Sequence, residues 1–415
     1  MRDLAILFIL FGLAALAWWR PWLGVLGLAV LGYMHPHGYA TGFMRNVPVF
    51  FYLFLWVSFS AAYQTWRDKT WAALPWRRLL DWRIYGLLGL WIWFGVTSHY
   101  SVAPWEAWDK YREVLKILPP FLLTLLLIDS REKLYYLIVV MALSFLLVAF
   151  KGGYWAVMSG FQDRVYGPPG SPYTDNNAFA VAVAMAIPLM VLWLREVRSP
   201  GPRIIIVAGI VLAYASAVSS WSRGGMLALG AMTLVLLWHS KRKLLVIPLL
   251  LILVATLFVQ LPEQWFGRME SISTYQDDQS AQGRLTVWQV GFDFAAEHPV
   301  TGGGFNAWPA LTLRSSGGLD WHSAYIEMLT EHGYVGLVMW AGLLTATLLS
   351  LTWNARRRPA WQTDYGAMLQ ASLMAYLVGG ITLGIAYWQL PFHLVVLAAL
   401  LKGFSPPVRQ MPDHG

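Results

Sequence analysis

Long apolar runs, interrupted at short intervals by charged and tryptophan-rich segments, set the pattern of the chain. A helix needs about 20 apolar residues to cross a bilayer, with roughly 17 to 25 typical. By that measure the pattern predicts spans at 4–18, 22–34, 47–64, 84–98, 115–129, 134–150, 178–194, 204–220, 225–239, 244–260, 324–352, 366–388 and 390–404. Several are short, 22–34 and 390–404 among them, so the expectation is about 12 or 13 spans. The first run has no small-residue cleavage site after it and reads as an uncleaved helix. The fold class that follows is all-α: a polytopic transmembrane helical bundle forming one integral membrane domain over 1–415.

One polar stretch, 261–321, is too long to be a mere connector, and loops of that length are usually functional. Within it, "GRLTVWQVGFDFAAEHP" reads as a helix. Arg284, Trp288, Gly291, Phe292 and Ala295 fall at i, i+4, i+7, i+8 and i+11, one helical face. Pro299 and the Gly302-Gly303-Gly304 run end it. The expectation is an amphipathic helix lying on the outer membrane surface.

Composition agrees with a membrane protein. Hydrophobic residues make up 57% of the chain and charged residues 13%, about half the roughly 25% charge of a soluble domain. The 24 tryptophans suit interfacial anchors. Cysteine is absent, which removes disulfides and thiolate metal sites.

The formal charge of +8 could suggest a nucleic-acid partner, but its distribution argues otherwise. Arg67, Lys69, Arg77, Arg78 and Arg83 mark one loop as cytoplasmic. Arg131 with Lys133, then Arg195, Arg198 and Arg203, then Lys241-Arg242-Lys243, then Arg356-Arg357-Arg358 mark four more, alternating with the spans. The other face receives 99–114, 151–177, 219–224 and 261–321. The last carries seven acidic residues and three arginines, a net −4. The basic excess is a topology signal, and a nucleic-acid role loses its support. Arg20 also falls inside, which leaves the parity of the first two spans open.

Ionisable residues inside spans mark ion and proton pathways. Spans 84–98, 178–194, 204–220, 244–260 and 366–388 contain none. No inverted repeat is visible either, so a transporter or flippase of lipid-linked glycans is disfavoured. Polar chemistry gathers at span ends on the outer face.

In "SSWSRGG", Arg223 opens a span, where free N–H groups and the helix dipole favour an anion. Gly224 and Gly225 would admit it to the backbone, and the guanidinium fork suits phosphate oxygens. Equally, Arg223 reads as a side chain reaching to the headgroups. Arg284 reads as a ligand or as a charge on a solvated helix face. In loop 151–177, Arg164, Asp175, Asn176 and Asn177 could hold a polar ligand, or Asp175 could cap the helix beginning near Ala178. His322 is either an interfacial anchor or a general base, since its ordinary pKa of ~6.5 lies near working pH.

His35 and His37 lack further ligands at metal spacing. His298 and His332 read as helix-end residues. Asp277-Asp278 is adjacent and not alternating, so no metal site is expected. Glu327 and Glu331 share a helix face but lie off the i+3 and i+4 positions from His322, so no helix-neighbour carboxylate pairs with it.

These residues resemble a family. "HSAYIEMLTEHGYVG" fits His-[Asn/Ser/Gln], nine residues, Gly, two residues, [Gly/Thr/Tyr], the pattern of bacterial O-antigen ligases. "SxSRGG" at 220–225, the loop helix beginning at Arg284 and "EHPVTGGGF" at 297–305 are similar to the same superfamily. It includes O-antigen polymerases and protein O-oligosaccharyltransferases. "RVYGPPGSPYTDNNAFAVAVAMAIPL" and "MRDLAILFIL" resemble the exosortase-associated O-glycosylation ligase branch. The likeness covers nearly the whole chain, with four motifs in order on one membrane side.

The resemblance implies a multi-pass protein of the bacterial inner membrane with a periplasmic active site. It implies a glycosyltransferase moving a glycan from undecaprenyl diphosphate to a hydroxyl, without metal, nucleotide or other cofactor. The acceptor it implies is lipid A-core oligosaccharide, with a protein Ser/Thr or a glycan end as alternatives. It places the catalytic histidine at His322 and the diphosphate-binding arginines at Arg223 and Arg284. Arg164, Asp175, Trp288 and Tyr325 are further substrate-binding candidates.

Overall fold

The computed structural model describes residues 1–270, 279–353 and 358–404, and among them every regular element is helical. In order these are α1 Arg2–Trp19, α2 Pro21–Tyr33, α3 Val49–Arg67, α4 Trp82–His99, α5 Pro104–Leu115, α6 Leu118–Leu127, α7 Arg131–Met158, α8 Asn176–Glu196 and α9 Pro200–Val218. Then follow α10 Arg223–His239, α11 Lys243–Gln260, α12 Glu263–Glu270, α13 Gln279–Glu297, α14 Trp308–Ser316, α15 Ala324–Thr352, α16 Ala360–Gly379 and α17 Gln389–Gly403.

Local chemistry sets where they start. Proline opens α2, α5 and α9, where a helix has no use for its missing N–H. Side-chain oxygens of Asp81, Ser130, Asp175, Ser222 and Ser323 cap α4, α7, α8, α10 and α15, each satisfying an otherwise orphaned amide. Six helices are long and apolar enough to cross a membrane: α1, α7, α8, α9, α11 and α15.

Three expectations need correction. The run 115–129 is not one span. Pro119 and Pro120 stand in the first turn of α6, where their rings prevent the helix of α5 from continuing through. α6 alone reaches roughly 15 Å, half a hydrocarbon core. The run 366–388 stops being helical at Gly379, and residues 380–388 form an irregular turn. The polar stretch holds α12 and α14 besides the expected helix α13. On α13 the inward stripe is Val287, Gly291 and Ala295, while Phe292 is exposed. That stripe packs on α15, so α13 is held by the bundle as well as lying at its surface.

Successive helices alternate between two ends of the bundle. One end is basic. There Arg78 donates to the Ile128 carbonyl at 2.7 Å and Arg131 pairs with Glu196 at 3.0 Å. Arg83, nearly sealed from solvent, pairs with Asp81 at 2.8 Å and donates to Ser350 at 2.6 Å. Arg20 belongs to this end, because the preceding Trp18 stacks on Tyr63 near the end of α3. That resolves the parity of α1 and α2. At the opposite end, Asp3 accepts from the amides of Gly42 and Met44. Arg358 lies at the basic end and donates to the Ser350 carbonyl, whereas Arg356 and Arg357 lie outside the described residues.

α8 occupies the centre, against α7, α9, α10 and α16. Small residues allow the approach: a Cβ on Gly379 would lie 2.6 Å from Val181, and one on Gly225 2.3 Å from Ala180.

Candidate functional site

The polar loops meet at the end opposite the basic one. α9 leads into a tight turn in which Trp221 takes a left-handed backbone, φ 58°, uncommon for a bulky residue. Its indole donates to the Phe161 carbonyl at 3.2 Å and Arg164 lies over its ring at 5.5 Å. Arg268 donates to its carbonyl at 3.2 Å. Two residues on, Arg223 begins α10, half-buried. Arg164, Arg223 and Arg268 thus share one turn. The sequence offered no signal for Arg268, which comes from α12.

Gly224 and Gly225 do different work from that expected. A Cβ at Gly224 would fall 2.1 Å from Thr382 Oγ1, and the Gly225 amide is taken by the Ser222 cap at 3.0 Å. They are small because α10 packs closely on the 380–388 turn and on α8, and not to admit an anion to the backbone.

His322 sits at the entry to α15 with φ 47°, again left-handed, a state histidine visits more readily than most residues. Its neighbours pin it. Trp288 donates to the Trp321 carbonyl at 2.8 Å, and Asp320 accepts from the Trp321 amide at 2.7 Å. The Ala324 amide donates to Gly380 at 2.8 Å. Trp288 therefore holds the backbone that presents the imidazole. The hydroxyl of Tyr325 donates to the Leu377 carbonyl at 2.9 Å, a helix-to-helix tie.

Burial depresses the pKa of His322 below its ordinary value; the charge of Asp320 opposes this, Arg284 reinforces it, and Asp175 opposes it more weakly. Burial in turn raises Asp320 above the usual carboxylate range. Arg284, Asp320 and Asp175 thus lie within electrostatic reach of His322. Asp175 also caps α8 through Asn177 and Ala178, at 2.6 and 2.9 Å, so the capping role is real and the charge is an addition to it. Sequence reasoning sought a carboxylate for His322 on α15 and missed Asp320, two residues earlier on the loop.

Beneath His322 lies a buried polar chain. Glu327 accepts from the Ala386 amide at 3.0 Å. Tyr387 donates to Glu331 at 2.6 Å and lies 2.8 Å from His332 Nε2. His332 Nδ1 is 2.6 Å from the hydroxyl of Thr97. With Tyr387 donating to Glu331, the consistent tautomer has Nε2–H donating to Tyr387 and Nδ1 accepting from Thr97. His332 does end a helical segment, as expected, but its ring is fully buried between Phe94 and Phe305.

Gly333 explains the spacing motif. It interrupts α15 with φ 67°, and a Cβ there would lie 2.1 Å from the Val300 carbonyl. The break frees two carbonyls, and the glycine-rich loop takes them: the Gly303 amide donates to Thr330 and that of Gly304 to Glu331, both at 2.8 Å. The Tyr334 amide turns to Pro299 at 2.9 Å. The glycine is required by this backbone insertion and not, as its place after His322 suggested, by helix packing alone.

Among the described residues no group of three or more His, Asp or Glu side chains is placed to hold a metal ion. His35 and His37 stack at 3.9 Å, with burial and the neighbouring ring pulling His35 down to about 4. Asp277 and Asp278 lie outside the described residues.

Residues 207–341 match the model of a family described as O-antigen ligase, and residues 1–199 match a family of unknown function, DUF5935. No curated protein matches the chain. The first match takes in Arg223, Arg284, His322 and Gly333 and supports the O-antigen ligase/polymerase superfamily. With the apolar helices it supports an enzyme of ligase or polymerase type acting in a membrane.

Proposed function

We propose that the protein is an O-antigen ligase, an inverting glycosyltransferase that moves a glycan from undecaprenyl diphosphate to a hydroxyl of lipid A-core oligosaccharide. The reaction would take place at the periplasmic face of the bacterial inner membrane. The observation that carries the reading is the convergence on His322 of Arg284 and two carboxylates, on a backbone pinned from three sides, within the segment matching the ligase family.

A sugar hydroxyl is a weak nucleophile, so a base must take its proton as the new bond forms. His322, with a depressed pKa, is neutral and able to do so. Asp320 then steadies the imidazolium. Diphosphate is already a good leaving group and needs no proton from an acid. Its growing charge is met by Arg223 and Arg284 through charge-assisted, bidentate hydrogen bonds. Attack by the hydroxyl oxygen on the anomeric carbon breaks the bond to the diphosphate oxygen in one in-line step. The configuration inverts, and undecaprenyl diphosphate departs with its electron pair. Arg164 and Asp175, at the rim of the same turn, suit contacts to the glycan.

The test is a transfer assay on purified protein with lipid-linked glycan and either lipid A-core or a protein acceptor. His322→Ala should retain donor binding and lose transfer by at least ~100-fold. Arg223→Lys and Arg284→Lys should rescue the alanine variants only in part, since a point charge cannot reproduce the fork. Near-normal transfer by His322→Ala, or product with the donor's anomeric configuration by NMR, would overturn the reading. Transfer to protein and not to lipid A-core would reassign the acceptor to a Ser or Thr hydroxyl.

A further inference from the structure

The side of the bundle below Arg223 carries a feature that the transfer chemistry does not use. α11 has no buried residue along its length, and between it and α9 and α10 lie two cavities of about 420 Å³ each. Tyr214, Thr233, Leu237, Leu250 and Leu253 line both, so they form one trough. It extends from Leu261 and Trp265, near the polar loops, to Arg195 and Ser240 at the basic end. α11 rises roughly 27 Å, so the trough runs close to the depth of a hydrocarbon core.

Its walls are hydrocarbon, and the polar groups at its waist satisfy one another. Tyr214 and Thr233 are hydrogen-bonded at 2.8 Å, and Thr233 donates to the Leu229 carbonyl at 2.7 Å. Its upper end is joined to the arginine turn. Trp265, which lines it, donates to Val218 at 3.2 Å, and Arg268, one turn on, donates to Trp221 at 3.2 Å. Met226, another lining residue, follows Arg223 by one turn of α10.

We infer that this trough holds the isoprenoid chain of the lipid diphosphate donor. The inference rests on the reading of the reaction given above. A diphosphate at Arg223 has its lipid ester directed toward the membrane, and the continuous apolar path from that turn is this one. A single long chain suits a trough that spans the membrane beside one helix. It also accounts for α11 standing off from its neighbours: the missing packing partner is the substrate's own hydrocarbon.

Gly230 supplies the probe. It lines the trough, and a Cβ there would meet nothing within 4 Å, so Gly230→Phe adds a ring to the trough without displacing protein atoms. In the full-length protein, transfer is measured with two donors of the same glycan diphosphate, one on a long polyprenyl chain and one on two isoprene units. Gly230→Phe should raise KM for the long-chain donor at least ~10-fold, the equivalent of about two lost methylene burials. KM for the short donor and kcat should stay unchanged. Equal effects on both donors, or none on either, overturn the assignment. If the wild type transfers from neither donor, the reading of the reaction fails instead. A second measurement is independent of turnover: a polyprenyl phosphate carrying a diazirine near its free end should label residues 244–260 of the wild type. Labelling suppressed by anionic phospholipid at equal concentration would give the trough to bilayer lipid and overturn the inference.

Discussion

α8 and α11 are both long, apolar helices, and α11 is the more apolar of the two, yet 78% of α8 is buried and none of α11. Inside a bilayer, lipid tails are as apolar as leucine, so hydropathy decides only that a helix spans. Whether it packs depends on shape. α8 carries five alanines, at 178, 180, 182, 184 and 186, which let four neighbouring helices come close. α11 carries one, Ala255, among leucine, isoleucine and valine. The lesson is that small residues, and not greasy ones, mark the centre of this protein.

Substitutions that exchange the two characters test the contrast. Ala184→Leu in α8, where no solvent reaches, should lower stability by about 1–3 kcal/mol through overpacking. Leu251→Ala on the exposed face of α11 should stay within about 0.5 kcal/mol. Unfolding midpoints in one detergent compare them, and similar losses at both sites would end the distinction.

The same contrast exists within α10. Gly225 faces Ala180 at the α8 seam and Gly230 faces the trough. Gly225→Ala should cost about 1 kcal/mol by crowding. Gly230→Ala should gain roughly 0.5 kcal/mol by helix propensity. The measurement is again the unfolding midpoint, and a stabilising Gly225→Ala would contradict the close seam.

The smallest effect concerns the proton. α8 ends at Asp175, which reaches His322 electrostatically; nothing on α11 is recorded as doing so. The neutral imidazole is the active form, so transfer should fall as pH drops through a pKa lying below the usual histidine value. Removing a negative neighbour depresses that pKa further. Asp320→Asn should therefore move the acid limb to lower pH, and Asp175→Asn, which keeps a cap, should move it less in the same direction. Arg284→Gln should move it upward, and Lys243→Gln on α11 should leave it in place. An upward shift on Asp320→Asn would show that Asp320 does not act on His322 through its charge.

Much of this was legible in the sequence for reasons that are themselves physical. Span positions follow from run length, and the basic loops do gather at one end, because charge placement depends on loop composition alone. What escaped notice depended on contacts between distant segments. The double proline in α6 was hidden by apolar neighbours. Arg268 reaches the arginine turn only because α12 folds back onto Trp221. Asp320 lies on a loop, outside the helix-spacing rules used to look for a partner. Phe292 satisfied a helical period that the packing of Val287 and Gly291 on α15 does not use.

The broken helix at Gly333 has one more consequence. Both ends of the segment from His322 to Gly333 are fixed by backbone bonds: one to Gly380, the other to the glycine loop. The segment works as a gauge of roughly 15 Å, set by counting residues. Changing a side chain between them leaves the gauge intact. Deleting a single residue shortens it by about 1.5 Å and turns one end by roughly 100°, so the imidazole and the loop could no longer both be seated. What that stretch must keep is its length.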